Sequence, residues 1–320
     1  MKTGEKMRIG AVDIGTNSLR SMIADIKEYN GYDCKFEIVY RSLKTTRLGK
    51  ELRKNGYILS EKINENLAEL LRLKKVFSEY NVSEMIIFGT EGLRIASNSA
   101  DLLNAAAAEG LFIKIISGEE EALHIFNGVL KSIDKSEMSG DIGVIDIGGG
   151  STELAFGSVA QKKITYSGGL SFAAGCVVMT EQFGLDTFPV TAEAVGSIDK
   201  SIASILKNNN LTYIGKTLIG VGGTITCLSA ISQKLPEYLT DRVHNSKLSI
   251  DDILKVYDFI AATPITEREL LPGLNDKRGD IIIAGIRILL TVMKHYNFES
   301  IVISDYGIIL GVILNYLKKE

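Results

Sequence analysis

Gly143-Val-Ile-Asp-Ile-Gly-Gly-Gly-Ser-Thr-Glu153 is the stretch of this sequence that decides the fold. The apolar run 142–147 predicts a buried strand, and the three glycines after it predict a sharp turn. Glycine lets backbone N–H groups approach a ligand closely, and such concave turns favour phosphate. Asp146 and Glu153 flank the turn and would repel a phosphate, so the pattern predicts Mg²⁺ between them. An ordinary glycine-rich hairpin is the alternative interpretation.

The same pattern occurs a second time near the N-terminus. Residues 9–18 align with residues 142–151 at one constant offset, with Ile, Gly, Asp, Ile, Gly and Ser in common. A third stretch, residues 219–224, also runs from an apolar strand into glycines. Two strand–turn–strand units, one opening each half of the chain, predict two similar domains that face each other across a cleft. Phosphate would be held by the two hairpins.

The order of the predicted elements indicates an α/β fold. Each half begins β-β-β-α-β-α, which gives a mixed sheet with flanking helices. A chain of 320 residues is also too long for one ordinary core. The polar segment 131–141 is the predicted boundary, so we expect domains at 1–130 and 131–320, with the C-terminal helix 307–320 packed back on the first. Later helices are predicted over 170–183 and 278–296.

Composition excludes several classes of protein. The net charge of −3 provides no overall attraction to nucleic acid or to an anionic membrane, so neither is expected as a partner. The three cysteines lack a C-x-x-C spacing, which argues against a zinc site or a disulfide framework. No signal-peptide pattern and no apolar stretch of about 20 residues is present. We therefore expect a soluble, cytoplasmic protein.

The segment 44–54 is the most basic part of the first half. Two interpretations remain open at this stage, a solvated loop or a rim that attracts a polyanion. The positive charges that define it are Lys44, Arg47, Lys50, Arg53 and Lys54.

Taken together, these features resemble the sugar kinase, actin and heat-shock-chaperone ATPase superfamily, whose domains are ribonuclease H-like. Within it, six motifs resemble the exopolyphosphatase and guanosine-pentaphosphate phosphohydrolase family. They lie in family order from one end of the chain to the other: Val12–Ser18, Gly89–Arg94, Ile116–Ala122, Val144–Glu153, Gly220–Thr224 and Leu271–Asp280. Longer members carry a further C-terminal helical domain, so the resemblance implies a short, two-domain form. It also leaves a homodimer open.

Hydrolysis of a phosphoanhydride needs a held phosphate, neutralised charge, a positioned water and a base. Backbone N–H groups, hydroxyls and cationic side chains are the predicted phosphate ligands, because guanidinium donors match phosphate oxygens in pairs. They are Gly15, Thr16, Asn17, Ser18, Arg20, Arg94, Gly148, Gly149, Gly150, Ser151, Thr152, Gly223, Thr224, Lys277 and Arg278. Asp146 and Glu153, with Asp13 as a third candidate, are predicted to hold Mg²⁺ or Mn²⁺.

The predicted base lies in the run 119–121. The residues alone do not separate Glu119, Glu120 and Glu121, and the resemblance implies Glu121. The hypothesis is that water, deprotonated by Glu121, attacks a terminal phosphoryl group of polyphosphate and releases orthophosphate.

Three alternatives remain open. Guanosine pentaphosphate is a second candidate substrate for the same groups. A kinase of small metabolites would need an adenosine pocket, for which residues 222–224 are the only suggestion. A non-catalytic polyphosphate or alarmone sensor would not need a base, so the presence of Glu121 argues against it.

Overall fold

The computed structural model describes residues 7–29, 34–134, 138–160, 163–209, 215–274 and 278–318. The chain divides into two compact units. The first unit comprises Met1–Gly128 together with Ile308–Glu320, and the second comprises Val129–Gly307. Within each unit, buried aliphatic and aromatic side chains form a core between a sheet and its helices.

The first unit contains a mixed five-stranded sheet in the order β3-β2-β1-β4-β5. The central strand β1 pairs antiparallel with β2 and parallel with β4. Five helices, α1 to α5, follow or separate these strands along the chain. The last of them, α5, begins in the first unit and ends in the second. The elements are β1 (Met7–Ile14), β2 (Ser18–Tyr29), β3 (Cys34–Thr45), α1 (Leu52–Asn55), α2 (Ser60–Glu79), β4 (Glu84–Gly89), α3 (Glu91–Ile95), α4 (Ser99–Ala108), β5 (Ile113–Ile115) and α5 (Gly118–Ser132).

The second unit contains a mixed six-stranded sheet in the order β10-β11-β9-β6-β7-β8. Its central strand β6 pairs antiparallel with β7 and parallel with β9. The elements are β6 (Gly140–Ile147), β7 (Thr152–Ala160), β8 (Lys163–Phe172), α6 (Cys176–Phe183), α7 (Ala192–Asn208), β9 (Thr217–Val221), α8 (Gly223–Ser232), α9 (Thr240–Val243), β10 (Lys247–Ser249), α10 (Ile250–Ala261), α11 (Ile265–Arg268), α12 (Ile282–His295) and β11 (Ser300–Ile303). The predicted α/β class, with a mixed sheet and flanking helices in each of two domains, is confirmed.

The two sheets repeat each other down to their strand register. Val12 of β1 lies opposite Ile87 of β4, and Ile145 of β6 lies opposite Gly220 of β9. These pairs are separated by the same offset that aligns the two glycine motifs. The structural repeat therefore extends to the parallel strand beside each hairpin. In the second unit this strand is β9, so the turn that follows β9 lies next to the second glycine motif.

Two predicted helices begin later than expected. The helix predicted from residue 170 starts at Cys176, because β8 continues to Phe172, which pairs with Thr152 of β7. Gly168 and Gly169 had indicated that this strand ends before residue 170. The helix predicted over 278–296 starts at Ile282, after a turn in which the carbonyl of Arg278 accepts from the N–H groups of Ile281 and Ile282.

The last helix, α13 (Ile308–Leu317), belongs to the first unit, where it contacts β1 and β2. Gly311 permits this packing, since a Cβ atom there would collide with the carbonyl oxygen of His124 in α5. Throughout the described ranges, no helix is both long enough and apolar enough to cross a lipid bilayer.

Candidate functional site

The first glycine motif forms a tight turn whose carbonyl groups are already used. The N–H of Gly15 donates to the carbonyl of Ser18 at 3.1 Å, which closes the turn between β1 and β2. The carbonyls of Thr16 and Asn17 each accept at 2.8 Å, from the N–H groups of Gly49 and Arg47 respectively. The N–H groups of Thr16 and Asn17 have no acceptor among the described residues. They are therefore free to bind an anion.

The segment that supplies these donors is the basic stretch 44–54. Its backbone packs on the hairpin, with Thr46 and Leu48 fully buried, while its lysine side chains remain exposed. Gly49 is required there, because a Cβ atom would collide with the methyl group of Thr16. The segment is thus not a solvated loop, since its backbone fixes the first hairpin.

The second glycine motif repeats this arrangement in the second unit. The N–H of Gly148 donates to the carbonyl of Ser151 at 3.0 Å. The carbonyls of Gly148, Gly149 and Gly150 accept hydrogen bonds of 2.9–3.0 Å from the N–H groups of residues 175–177, where α6 begins. Within the described ranges, the N–H groups of Gly149 and Gly150 have no acceptor. Both hairpins therefore have their carbonyls bonded and their central N–H groups available.

Two carboxylates face each other beside the second hairpin. Asp146 and Glu153 occupy directly opposed positions on β6 and β7, and both are buried. The hydroxyl of Ser171 on β8 donates to Glu153 at 2.6 Å and so orients it. Opposed buried carboxylates repel each other, and a cation between them removes the repulsion.

The corresponding position in the first unit carries the opposite charge. Arg20 lies opposite Asp13, in the same register as Glu153 opposite Asp146, and forms an ion pair with it at 2.6 Å. Burial raises the pKa of Asp13, and the nearby Arg20 guanidinium opposes that rise. The other carboxylate oxygen of Asp13, Oδ1, is buried and has no hydrogen-bond partner among the described residues. Asp13 thus has a protein counter-charge, and the Asp146–Glu153 pair offers two adjacent carboxylates to a cation.

The donor set of the second unit fits Mg²⁺. This ion is usually held by one or two carboxylates and completes its octahedron with waters and substrate phosphates. Asp146 and Glu153 supply two such carboxylates, and no group of three or more acidic, histidine or cysteine residues that could hold a metal occurs in the described part of the chain. Asp13 lies in the first unit, and its role as a third ligand stays a prediction.

The turn after β9 contacts both Asp146 and Arg278. Gly222 has a positive φ of 95°, and a Cβ atom there would collide with Oδ1 of Asp146. The guanidinium of Arg278 occupies the space where a side chain at Gly223 would begin. Arg278 is 8% exposed, and its guanidinium has no hydrogen bond or ion pair to any described residue. A buried arginine in that state is suited to an incoming anion. Lys277, the other predicted cation of this stretch, lies outside the described residues.

The structure separates the three glutamates at the start of α5. Glu119 is exposed. Glu120 accepts from the N–H of Ser117 at 2.9 Å and pairs with Lys114 at 2.7 Å, and these contacts lower its pKa. It serves as a helix cap. Glu121 is buried and accepts a hydrogen bond of 2.6 Å from Arg94, which also donates to the carbonyl of Ile116.

Four other predicted phosphate ligands, all with hydroxyl side chains, are buried. The hydroxyl of Thr152 donates to the carbonyl of Ala174 at 2.7 Å and is fully buried, so its proton is not available to a ligand. Thr224 is buried against Gly285 of α12. Ser18 accepts from the amide of Asn17 at 3.1 Å, and Ser151 is buried beside its hairpin.

Sequence reasoning missed several groups that build the two hairpins. The N–H groups at the start of α6 donate to the second hairpin. The feature of the sequence that could have indicated this contact is Gly175, because a Cβ atom there would strike Gly149. Glu91 lies inside the motif Gly89–Arg94 but was given no role. It is buried, accepts from the hydroxyl of Thr16 at 3.4 Å and pairs with Arg53.

Gly222→Ala should destabilise the protein by about 1–3 kcal/mol, because alanine is strained at this φ and its Cβ atom would strike the Asp146 carboxylate. Urea unfolding measures the change. Gly196→Ala is the matched control, since Gly196 lies in α7 with open space around it and alanine favours a helix. Equal stability of Gly222→Ala and wild type would show that the turn adapts.

Known proteins resemble this chain along almost its whole length. The model of the Ppx/GppA phosphatase family matches residues 22–320. The bifunctional 3-dehydroquinate synthase/phosphatase of Fusobacterium nucleatum is 30% identical over 97% of this chain, which spans 46% of that relative. Exopolyphosphatase 2 of Mycobacterium tuberculosis is 26% identical over 96% of this chain and 98% of its own length. A crystal structure of the Aquifex aeolicus member of the Ppx/GppA family is 30% identical, with a TM-score of 0.81 over 98% of this chain and 99% of that one. This match confirms two ribonuclease H-like, actin-like domains.

Proposed function

Because this chain belongs to the Ppx/GppA phosphatase family, and is therefore a hydrolase of phosphoanhydrides, we propose that it is an exopolyphosphatase. Such an enzyme releases orthophosphate from the end of an inorganic polyphosphate chain. The observation that carries the proposal is the pair of hairpins with bonded carbonyls and available N–H groups, surrounded by arginines and carboxylates. The 26% identity to an exopolyphosphatase supports the same proposal.

In the first unit, the N–H groups of Thr16 and Asn17 would bind phosphoryl oxygens, and Glu121 would accept a proton from the attacking water. The water oxygen forms a bond to the terminal phosphorus as the bridging P–O bond breaks, and the rest of the chain leaves as a phosphate anion. Arg94 holds the carboxylate of Glu121 in one orientation through its 2.6 Å contact.

In the second unit, Gly149, Gly150 and Arg278 would bind further phosphoryl oxygens. Asp146 and Glu153 would hold Mg²⁺ or Mn²⁺. When bound, this ion neutralises charge on the phosphoryl oxygens.

Orthophosphate release from long-chain polyphosphate and from guanosine pentaphosphate tests the proposal. We expect release from polyphosphate with Mg²⁺, at least tenfold higher in kcat/KM than from the nucleotide, and none in EDTA. The reverse preference would make the protein a guanosine pentaphosphate phosphohydrolase. Release from neither substrate, together with phosphate transfer from ATP to a small acceptor, would make it a kinase.

A further inference from the structure

Three ion pairs of the first unit share one arrangement, in which a buried carboxylate holds a more exposed arginine. Asp13 pairs with Arg20, Glu121 with Arg94, and Glu91 with Arg53. The carboxylate side chains are 1–8% exposed and the arginines 19–40% exposed. A buried carboxylate fixes one edge of a guanidinium, and the remaining N–H groups can then bind an anion with less loss of conformational freedom. The first two arginines were predicted phosphate ligands, whereas Arg53 was assigned only to the basic segment.

Arg53 is connected to the hairpin through Glu91. The Oε1 atom of Glu91 accepts from Nη2 of Arg53, and its Oε2 atom accepts from the hydroxyl of Thr16 at 3.4 Å. Gly92 allows this close approach, since a Cβ atom there would lie 3.1 Å from the Thr16 hydroxyl oxygen. Within the described residues, Arg53 has no other hydrogen bond or ion pair. Its other N–H groups are consequently open to a ligand.

Arg53 lies in α1 and Glu91 lies in α3, and hydrogen bonds connect the segments that follow these two short helices. The N–H and hydroxyl of Ser97, just after α3, both donate to the carbonyl of Gly56, just after α1, at 3.0 and 2.9 Å. Asn98 bonds to both the N–H and the carbonyl of Ile58 through its side-chain amide, at 2.8 and 3.0 Å. Leu52 of α1 is buried. The side chain of Arg53 therefore projects from a fixed backbone.

We propose that Arg53 determines substrate length: it binds a phosphoryl group beyond the one that is cleaved, so that substrates with several consecutive phosphates are preferred. This inference rests on the proposed exopolyphosphatase function. Glu91 is the positioning residue that holds the guanidinium. One phosphate bound at the hairpin N–H groups would not need Arg53, whereas a chain of phosphates would gain a charge-assisted bond.

Arg53→Met tests this assignment, because methionine keeps an unbranched apolar stem and removes the charge. We expect KM for long-chain polyphosphate to rise about tenfold with kcat within twofold, and inhibition by orthophosphate to stay unchanged. Arg53→Lys should recover part of the affinity. Arg72→Met is the matched control, since Arg72 pairs with the buried Glu69 in the same unit and its other bond is to Tyr40.

Binding of tripolyphosphate to the Glu121→Gln protein, followed by calorimetry, gives a readout that needs no turnover. Arg53→Met in this background should weaken binding about tenfold, and Glu91→Gln should weaken it less. Unchanged tripolyphosphate affinity in Arg53→Met would overturn the proposal, as would an equal loss in Arg72→Met. If the wild-type protein binds tripolyphosphate but releases no orthophosphate, the proposed function is wrong. The binding measurement on Arg53→Met would then still show whether Arg53 binds a phosphoryl group.

Discussion

Glu121→Gln should lower kcat for orthophosphate release by about 10²- to 10⁴-fold and leave KM within about threefold. The reason is chemical: glutamine keeps an oxygen that can accept the 2.6 Å hydrogen bond from Arg94, but it cannot take a proton from water. The fold and the phosphate contacts should therefore persist while proton transfer is lost. Steady-state kinetics with long-chain polyphosphate at saturating Mg²⁺ measure both constants.

Glu120→Gln is the control for this experiment, because Glu120 is one residue away but caps the helix and pairs with Lys114. It should retain kcat within about twofold and lose a few tenths to about 1 kcal/mol of stability. Wild-type kcat in Glu121→Gln would refute its role as the base. A large loss in Glu120→Gln, with Glu121→Gln unaffected, would transfer that role to the capping residue.

Asp146→Asn and Glu153→Gln should each lower activity by about 10²-fold or more, because a carboxylate that holds the ion supplies several kcal/mol of charge stabilisation through it. Each change also relieves repulsion between two buried, opposed carboxylates. In EDTA we therefore expect the variants to be no less stable than wild type. Mg²⁺ should raise the melting temperature of the wild-type protein and have a much smaller effect on the variants.

Asp141→Asn is the matched control, since Asp141 lies on the same strand, β6, and is exposed. It should keep both the activity and the Mg²⁺-dependent increase in melting temperature. A full Mg²⁺ response in Asp146→Asn would place the ion elsewhere. A loss of stability in EDTA would show instead that the carboxylate has a structural role.

Much of the fold could be predicted because its signals are local. The turn that closes each hairpin is a bond between residues three apart, Gly15 to Ser18 and Gly148 to Ser151. Glycines and an apolar strand suffice to indicate such a turn. The start of α6 could not be predicted in the same way. Leu170 and Phe172 continue a helical pattern, but pairing with β7 keeps them in a strand.

The sequence names candidate residues for the site but does not report how they pair with one another. The run 119–121 offered three equivalent carboxylates, and only the tertiary structure buries one of them against Arg94. Likewise, the motif at 89–94 contained Glu91, but its partners Thr16 and Arg53 lie far away along the chain. Burial and ion pairing depend on which segments meet in space, so a single sequence does not report them.

The sequence by itself determined the two-domain α/β architecture, the repeat of the glycine hairpin and the set of residues that could bind phosphate and metal. Each of these follows from spacing within a few residues or from a repeat along the chain. Only the tertiary structure decided the ion pair between Arg20 and Asp13, the placement of Arg278 on Gly223 and the attachment of Arg53 to the first hairpin. The physical reason is that charge neutralisation and close backbone approach are contacts between distant segments, and these exist only once the sheets and helices have packed.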